Sequence, residues 1–230
     1  MDNVLEQISL APSVAPFKPT SRTRVRRKPA RGSYDRELIH EILDRALICH
    51  VAFVSKDQPY AMPTIHARRG DTLYLHGSNG SRMLRVAAAG EPLCVTATVV
   101  DGIVLARSVF HHSLNYRSAV VIGSGRRVVD EREKRTALEM VVEHIVPGRA
   151  ADARGPTAKE LRATTVVAIE LEEASAKVRT GPPVDDLEDL QLSVWAGVVP
   201  LAVVPGAPVP DEKLDGRVAL PRYVARWRSG

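Results

Sequence analysis

At 230 residues the chain has room for one well-buried core with extensions, and its hydrophobic fraction of 44% and charged fraction of 26% are those of an ordinary globular protein. An aromatic fraction of 4% is low for a protein that stacks nucleic-acid bases. The net charge of +5 lies wholly in residues 1–33, where seven basic residues face two acidic ones, so the remainder is formally neutral and no polyanion-attracting field is expected from it.

Residues 1–33 mix prolines, serines and arginines without a period and are expected to form a basic, mostly disordered arm, either solvated or embracing a dimer partner. Order is expected from Tyr34 onward. Asp35 is placed to cap a helix whose apolar stripe is Leu38, Ile39, Ile42, Leu43, Ala46 and Leu47. Strands are predicted over 50–54, 60–67 and 72–76, separated by Lys56-Asp57-Gln58-Pro59 and Arg69-Gly70-Asp71. A short helix over 81–89 should stop at Gly90, which suits the left-handed position past a helix end. Strands over 93–100 and 102–107 follow, with Asp101-Gly102 between them as a candidate hairpin turn.

Residues 119–129 read as another strand, and Asp130 with Glu133 opens a helix running to about Val146 and ended by Pro147-Gly148. Thr157 and Glu160 repeat the capping spacing before a shorter helix, and 164–171 is β-branched enough for a central strand. Beyond Lys177 the prolines and acidic residues read as a connector to a C-terminal piece around Val194-Trp195-Ala196-Gly197. Helices do not alternate regularly with strands, so the predicted class is mainly β: an antiparallel barrel of about six strands with a few helices packed outside. The domain plan is an arm over 1–33, a barrel domain over 34–178 and an extension over 179–230 that packs on the barrel or on a dimer partner.

Two segments concentrate chemistry. Leu75-His76-Gly77-Ser78-Asn79-Gly80-Ser81-Arg82-Met83 runs from a strand through glycines and hydroxyls into a helix start. Such a junction can cradle a phosphate with backbone N–H groups, Ser78, Ser81 and the Arg82 guanidinium, or it can be a plain turn with a helix cap. It is neither a Walker loop nor Gly-x-Gly-x-x-Gly. The second segment, Phe110-His111-His112-Ser113-Leu114-Asn115-Tyr116-Arg117-Ser118, is polar enough to require solvent, a ligand or a partner chain. Adjacent His111 and His112 would point to opposite faces of a strand, and no third ligand stands at useful spacing, so no metal is expected. His66 could donate a proton or be structural.

Cys49 and Cys94 have no partner at metal-ligand spacing and read as buried thiols of a reducing compartment. With no secretion-signal pattern and no apolar run near roughly 18 residues, a cytoplasmic protein that spans no membrane is expected.

Taken in order, Arg31-Gly32-Ser33-Tyr34-Asp35, Pro63-Thr64, His76-Gly77-Ser78 with Gly80-Ser81-Arg82, the run 101–107, Asn115-Tyr116-Arg117-Ser118, Val146-Pro147-Gly148-Arg149 and Val194-Trp195-Ala196-Gly197 resemble the pyridoxamine 5′-phosphate oxidase-like, flavin-nucleotide-binding family, in particular its nitroimidazole-resistance-type branch. That resemblance implies a split β-barrel and a homodimer with FMN at the subunit interface. It implies that Met62, Pro63, Thr64, Ile65 and His66 run along the flavin and that His76, Gly77, Ser78, Ser81, Arg82 and Met83 surround its phosphate. Asn115, Arg117, Ser118 and Trp195 would approach the ring, with Arg149 and Arg154 as further candidates. The implied chemistry is hydride transfer through FMN from a nicotinamide donor to a small molecule that the sequence does not specify; no catalytic side chain is singled out. Met83 and His66 stand where the oxidase carries lysines, and its arginine-and-histidine substrate signature is absent near the C-terminus, which argues against pyridoxamine phosphate as substrate. Two alternatives stay open: a deazaflavin-dependent reductase on the same barrel, and a non-catalytic dimer that binds anions or nucleic acid through its basic arm, although nucleic acid is not the expected partner.

Overall fold

The alternating middle of the chain becomes ten strands and six α-helices among residues 15–227, the part described by the computed structural model. Strand β1 (Gly32–Ser33) precedes helix α1 (Arg36–Arg45). Strands β2 (Cys49–Ser55), β3 (Gln58–Thr64), β4 (His66–Arg69) and β5 (Thr72–Ser78) follow, then α2 (Arg82–Ala88) and the long strands β6 (Pro92–Leu105) and β7 (Ser113–Arg127). Helices α3 (Glu131–Ile145), α4 (Arg149–Asp152) and α5 (Ala158–Ala163) lead to β8 (Thr164–Glu170), β9 (Glu173–Arg179), β10 (Gly197–Pro200) and α6 (Arg222–Ala225). No helix is long and apolar enough to cross a membrane among the described residues.

The strands pair antiparallel in the order β3-β2-β6-β7-β8-β5-β4, with β9 on β7 and β1, and β10 on β6. Strands β3 and β4 lie at opposite ends of this path, yet Ile65 alone separates them in the chain, so the sheet rolls until its ends meet. The chain thus adopts the expected mainly β, split-barrel architecture, its ends joined covalently rather than by a hydrogen-bond ladder.

Inside the roll, Leu73 and Leu75 of β5, Val167 and Ile169 of β8 and Val51 and Val95 meet the apolar stripe of α1, Ile39, Ile42 and Leu43. The opposite faces of β5 and β8 are also covered. Tyr74, Val166 and Ala168 pack beneath Ala137, Leu138 and Met140 of α3. Strand β8 is therefore buried on both faces, which explains its unbroken apolar run.

Local signals set the helix starts. Asp35 accepts from Leu38 N at 2.8 Å, Ser81 from Leu84 N at 3.3 Å and Asp130 from Glu133 N at 2.7 Å, while Thr157 and Glu160 form a reciprocal capping box. Gly90 takes φ 81° just past α2, as its position predicts.

Three expectations are corrected. The single strand expected over 60–67 breaks at Ile65 into β3 and β4. The candidate hairpin at Asp101-Gly102 is instead a bulge inside β6, which β7 accompanies from Pro92↔Ser124 to Val104↔Ser113. Strand β9 occupies a segment left unassigned in the sequence and runs two residues into the expected connector; its Glu-Ala-Ser-Ala-Lys-Val-Arg run has weak strand propensity and is held by pairing to β1 and β7. The part of the expected disordered arm that is described also lies against the barrel: Phe17 joins the main core, Arg36 stacks on its ring at 3.8 Å, and Thr20 and Arg22 bond Glu173. Residues 1–14 fall outside the described part.

The connector after β9 is pinned by Asp185, whose side chain is 1% exposed and accepts from Arg107 N at 2.9 Å and Arg107 Nη1 at 2.8 Å. Asp185→Ala leaves a backbone N–H and a guanidinium without this partner, and a lower urea midpoint is expected, with faster proteolysis within 181–196. Wild-type stability with unchanged cleavage would show that the connector is held elsewhere.

Candidate functional site

The prolines at 59 and 63 suit an edge strand, and β3 ends the sheet path with one backbone edge free of a strand partner. Tyr60, Met62 and Thr64 alternate onto one face of it. Tyr60 stacks on Phe53 with centroids 5.4 Å apart, and Met62 is 43% exposed. The Arg82 guanidinium lies over the Tyr60 ring at 4.6 Å, so the β5–α2 loop and β3 converge there. Among the described residues Arg82 has no carboxylate partner.

The loop is preformed. Asn79 donates to Arg162 O at 2.7 Å and accepts from Thr165 Oγ1 at 2.8 Å, tying the loop to α5 and β8. Ser78 Oγ accepts from Gly80 N at 3.2 Å, and Ser81 is spent as the cap of α2. Gly77 faces α2: a Cβ there would lie 3.1 Å from Leu84 Cδ1.

Two of the expected phosphate residues point away from Arg82, His76 by strand alternation and Met83 by its place on the buried face of α2. His76 points the other way from Gly77, onto the α3 face, where it lines a cleft with Leu138 and Val141. Its Nδ1 is buried without a hydrogen bond, and burial lowers the imidazole pKa. Met83 is buried in the barrel core and cannot reach a ligand at the loop.

His66 likewise lies away from the exposed face of β3. Its ring is fully buried, Nε2 is 2.7 Å from Leu43 O, and the His144 ring is 4.7 Å away, centroid to centroid. Burial, reinforced by His144, pushes its pKa down to about 4, and the structural role of this histidine is the one the packing supports. His144 binds Ala46 O at 2.9 Å, so two imidazoles hold the carbonyls at the end of α1.

The second polar segment is satisfied largely within the chain. Asn115 is buried, donates to Gly181 O at 3.1 Å and accepts from Arg179. Arg117 grips both oxygens of Asp101 at 3.0 and 2.8 Å and reaches Glu41 at 2.7 Å. Ser118 Oγ donates to Lys177 O at 3.3 Å. Trp195, 65% exposed, folds over Gly197, and Phe110 is 87% exposed. Arg149 bonds Tyr223 and Asp152, and Arg154 bonds Glu160.

The fold also assembles a group invisible to local spacing. His111 Nε2 lies 3.1 Å from Asp186, and Asp189 completes a surface set whose ligand atoms fall within 4.8 Å of one another. Sequence reasoning missed it because the acids sit beyond β9.

The pyridoxamine 5′-phosphate oxidase family model matches residues 35–178. Among solved structures, the flavocytochrome Anf3 from Azotobacter vinelandii is 36% identical, with 94% of this chain and 100% of that one covered at a TM-score of 0.86. The FAD and heme binding protein from Mycobacterium smegmatis is 37% identical, with 86% and 98% covered at a TM-score of 0.82. A structure described as that of a 5-nitroimidazole antibiotic resistance protein from Bacteroides thetaiotaomicron shares the fold at 24% identity, covering 64% and 86% with a TM-score of 0.53. A comparison with curated proteins gives no match.

Proposed function

The chain belongs to the pyridoxamine 5′-phosphate oxidase family, and on that premise we propose that it is a flavin-dependent redox protein acting as a homodimer. The observation that carries this reading is Arg82: a guanidinium without a carboxylate partner, braced on Tyr60, where a glycine-and-serine loop meets the free edge of β3. A flavin tail would place phosphate against Arg82 and the loop, with the ring along Met62, Pro63 and Thr64. The bound flavin supplies hydride and single-electron chemistry. The protein orients it, and the expected donor is a reduced nicotinamide.

We read the flavin as FAD rather than the FMN implied by the sequence resemblance, because a 37% identical structure is named for FAD. Met83 lies in the core and His76 and His66 are turned away, which leaves Arg82 as the cation at the loop for either flavin's phosphate.

A second group follows from the two similar structures named a flavocytochrome and an FAD and heme binding protein, which together support heme beside the flavin. The homodimer is supported by exposed apolar side chains on β3, on β6 and around the β6–β7 connection, Met62, Val100, Ile103, Val109, Phe110 and Leu114.

The test is cofactor release and identification by chromatography, followed by titration of Arg82→Ala with FAD. The substitution is expected to weaken binding by about 1.5–3 kcal/mol, the range of a charge-assisted contact. Unchanged affinity would remove the phosphate site from this loop.

A further inference from the structure

Two surfaces of opposite charge stand exposed on the barrel with no ion pair joining them. The first is the basic arm. Arg24, Arg26, Arg27 and Lys28 are exposed and Arg31 is half-buried, and none of the five has a carboxylate partner among the described residues. This strip is held in place: Thr20 and Arg22 bond Glu173, Val25 N donates to the Tyr34 hydroxyl at 3.0 Å, and β1 pairs with β9. Lys28 keeps φ 55° immediately before Pro29, a left-handed conformation that glycine adopts with less strain. Beside Arg31, the buried Arg179 bonds only Asn115 Oδ1 and the carbonyls of Gly181 and Pro182, so it adds charge there rather than cancelling any.

The second surface is the connector after β9. Asp186 and Glu188 are exposed and Asp189 is half-buried, and among the described residues none of the three pairs with a lysine or arginine; Asp186 lies on His111. Interleaved with them are Val184 and Leu187, and next to His111 stand Val109 and Phe110, all four largely exposed. Apolar bulk and unpaired acids side by side mark a contact surface.

Resting on the homodimer reading above, we infer that these two surfaces meet across the dimer, the strip 24–31 of one protomer against the acidic connector 184–189 of its partner. A two-fold axis makes such a contact twice, so each protomer contributes one strip and one connector. The fold meets that condition. Arg31, Arg179 and the first connector residues adjoin one another, which sets strip and connector next to each other with room for an axis between them. Val184, Leu187 and Phe110 then supply apolar area, and the charges fix orientation. A nucleic acid fits less well, because the strip offers no aromatic side chain to bases and the apolar residues of the connector would stay wet.

The experiment measures dimer dissociation of the full-length protein by sedimentation velocity at low and high salt. Wild type is expected to be dimeric and to dissociate more readily as salt screens the contact. Arg26→Glu/Arg27→Glu/Lys28→Glu and, separately, Asp186→Lys/Glu188→Lys are each expected to weaken the dimer at least about tenfold at low salt, since every lost pair is lost twice and becomes repulsive. Urea midpoints near that of wild type establish that both fold. Mixed in equal amounts, the two variants should form a heterodimer as tight as wild type, because each then meets a partner of opposite sign at both contacts. A folding defect would not give that recovery. Variants that dimerise like wild type, or that stay apart when mixed, overturn the interface while leaving the homodimer standing. A monomeric wild type overturns the homodimer and the interface together, and retention of that monomer on a short DNA duplex, lost on reversing the arm, would assign the strip to a polyanion instead.

Discussion

Gly125→Ala should destabilise the fold by about 3 kcal/mol and loosen flavin binding with it, the upper end of what overpacking costs. An added Cβ at this position in β7 would lie 2.4 Å from Val167 Cγ1 and 2.7 Å from Ala87 O. The first contact can be eased by a rotamer change, but the second is backbone of α2. Relief therefore means lifting α2 from the barrel, and α2 begins at Arg82. The control is Gly123→Ala two residues earlier, whose Cβ would meet Glu170 O at 3.5 Å and Ile169 Cγ2 at 3.6 Å, ordinary contact distances. Urea midpoints of the two variants should differ clearly, and FAD affinity should fall only for Gly125→Ala. Equal midpoints would mean that α2 is free to shift and that its seat does not set the site.

That dependence on close packing marks where the sequence was legible. Caps and stripes are local, so Asp35, Ser81, Asp130 and Thr157 could be placed from their neighbours and the apolar stripe of α1 from its spacing. Pairing is not local. Asp101-Gly102 has the composition of a hairpin turn, but β7 runs alongside it and Val198 and Pro200 of β10 close over Gly102, so the chain goes straight on with a bulge. Phe17 gives no periodic signal because it enters the core alone.

The site divides the same way. Arg82, Gly77 and Ser78 were found by motif and are brought together by the loop. His76 was grouped with them because it is adjacent in sequence, whereas a strand sends neighbours to opposite faces. Asn115, Arg117 and Ser118 form an equally conspicuous polar run, yet their partners, Arg179, Asp101 and Lys177, come mostly from β9, a strand whose weak propensity left it unassigned in the sequence. A dense polar segment signals that partners exist; only the fold says whether they are internal.

Acid should act on the fold through His66. Its Nε2–H donates to Leu43 O, so protonation must occur at Nδ1, which is buried without a partner and faces His144. The folded pKa of about 4 lies below the ordinary value of 6.5, so between them the unfolded chain binds the proton and the native one does not. This contribution to stability is complete above pH 6.5 and is lost as pH falls toward 4. Between pH 7.5 and 4.5 the loss from this one group is about 2–3 kcal/mol. His40 and His76 have lowered values for the same dominant reason, and many carboxylates titrate nearby, so the measurement must be a difference. His66→Gln retains a donor for Leu43 O and cannot titrate; its urea stability should fall less steeply with acid than wild type by that amount. Parallel curves would place the proton elsewhere. Because His66 follows β3 at the corner where the barrel ends meet and clamps the end of α1, flavin should also leave wild type at a higher pH than it leaves the glutamine variant.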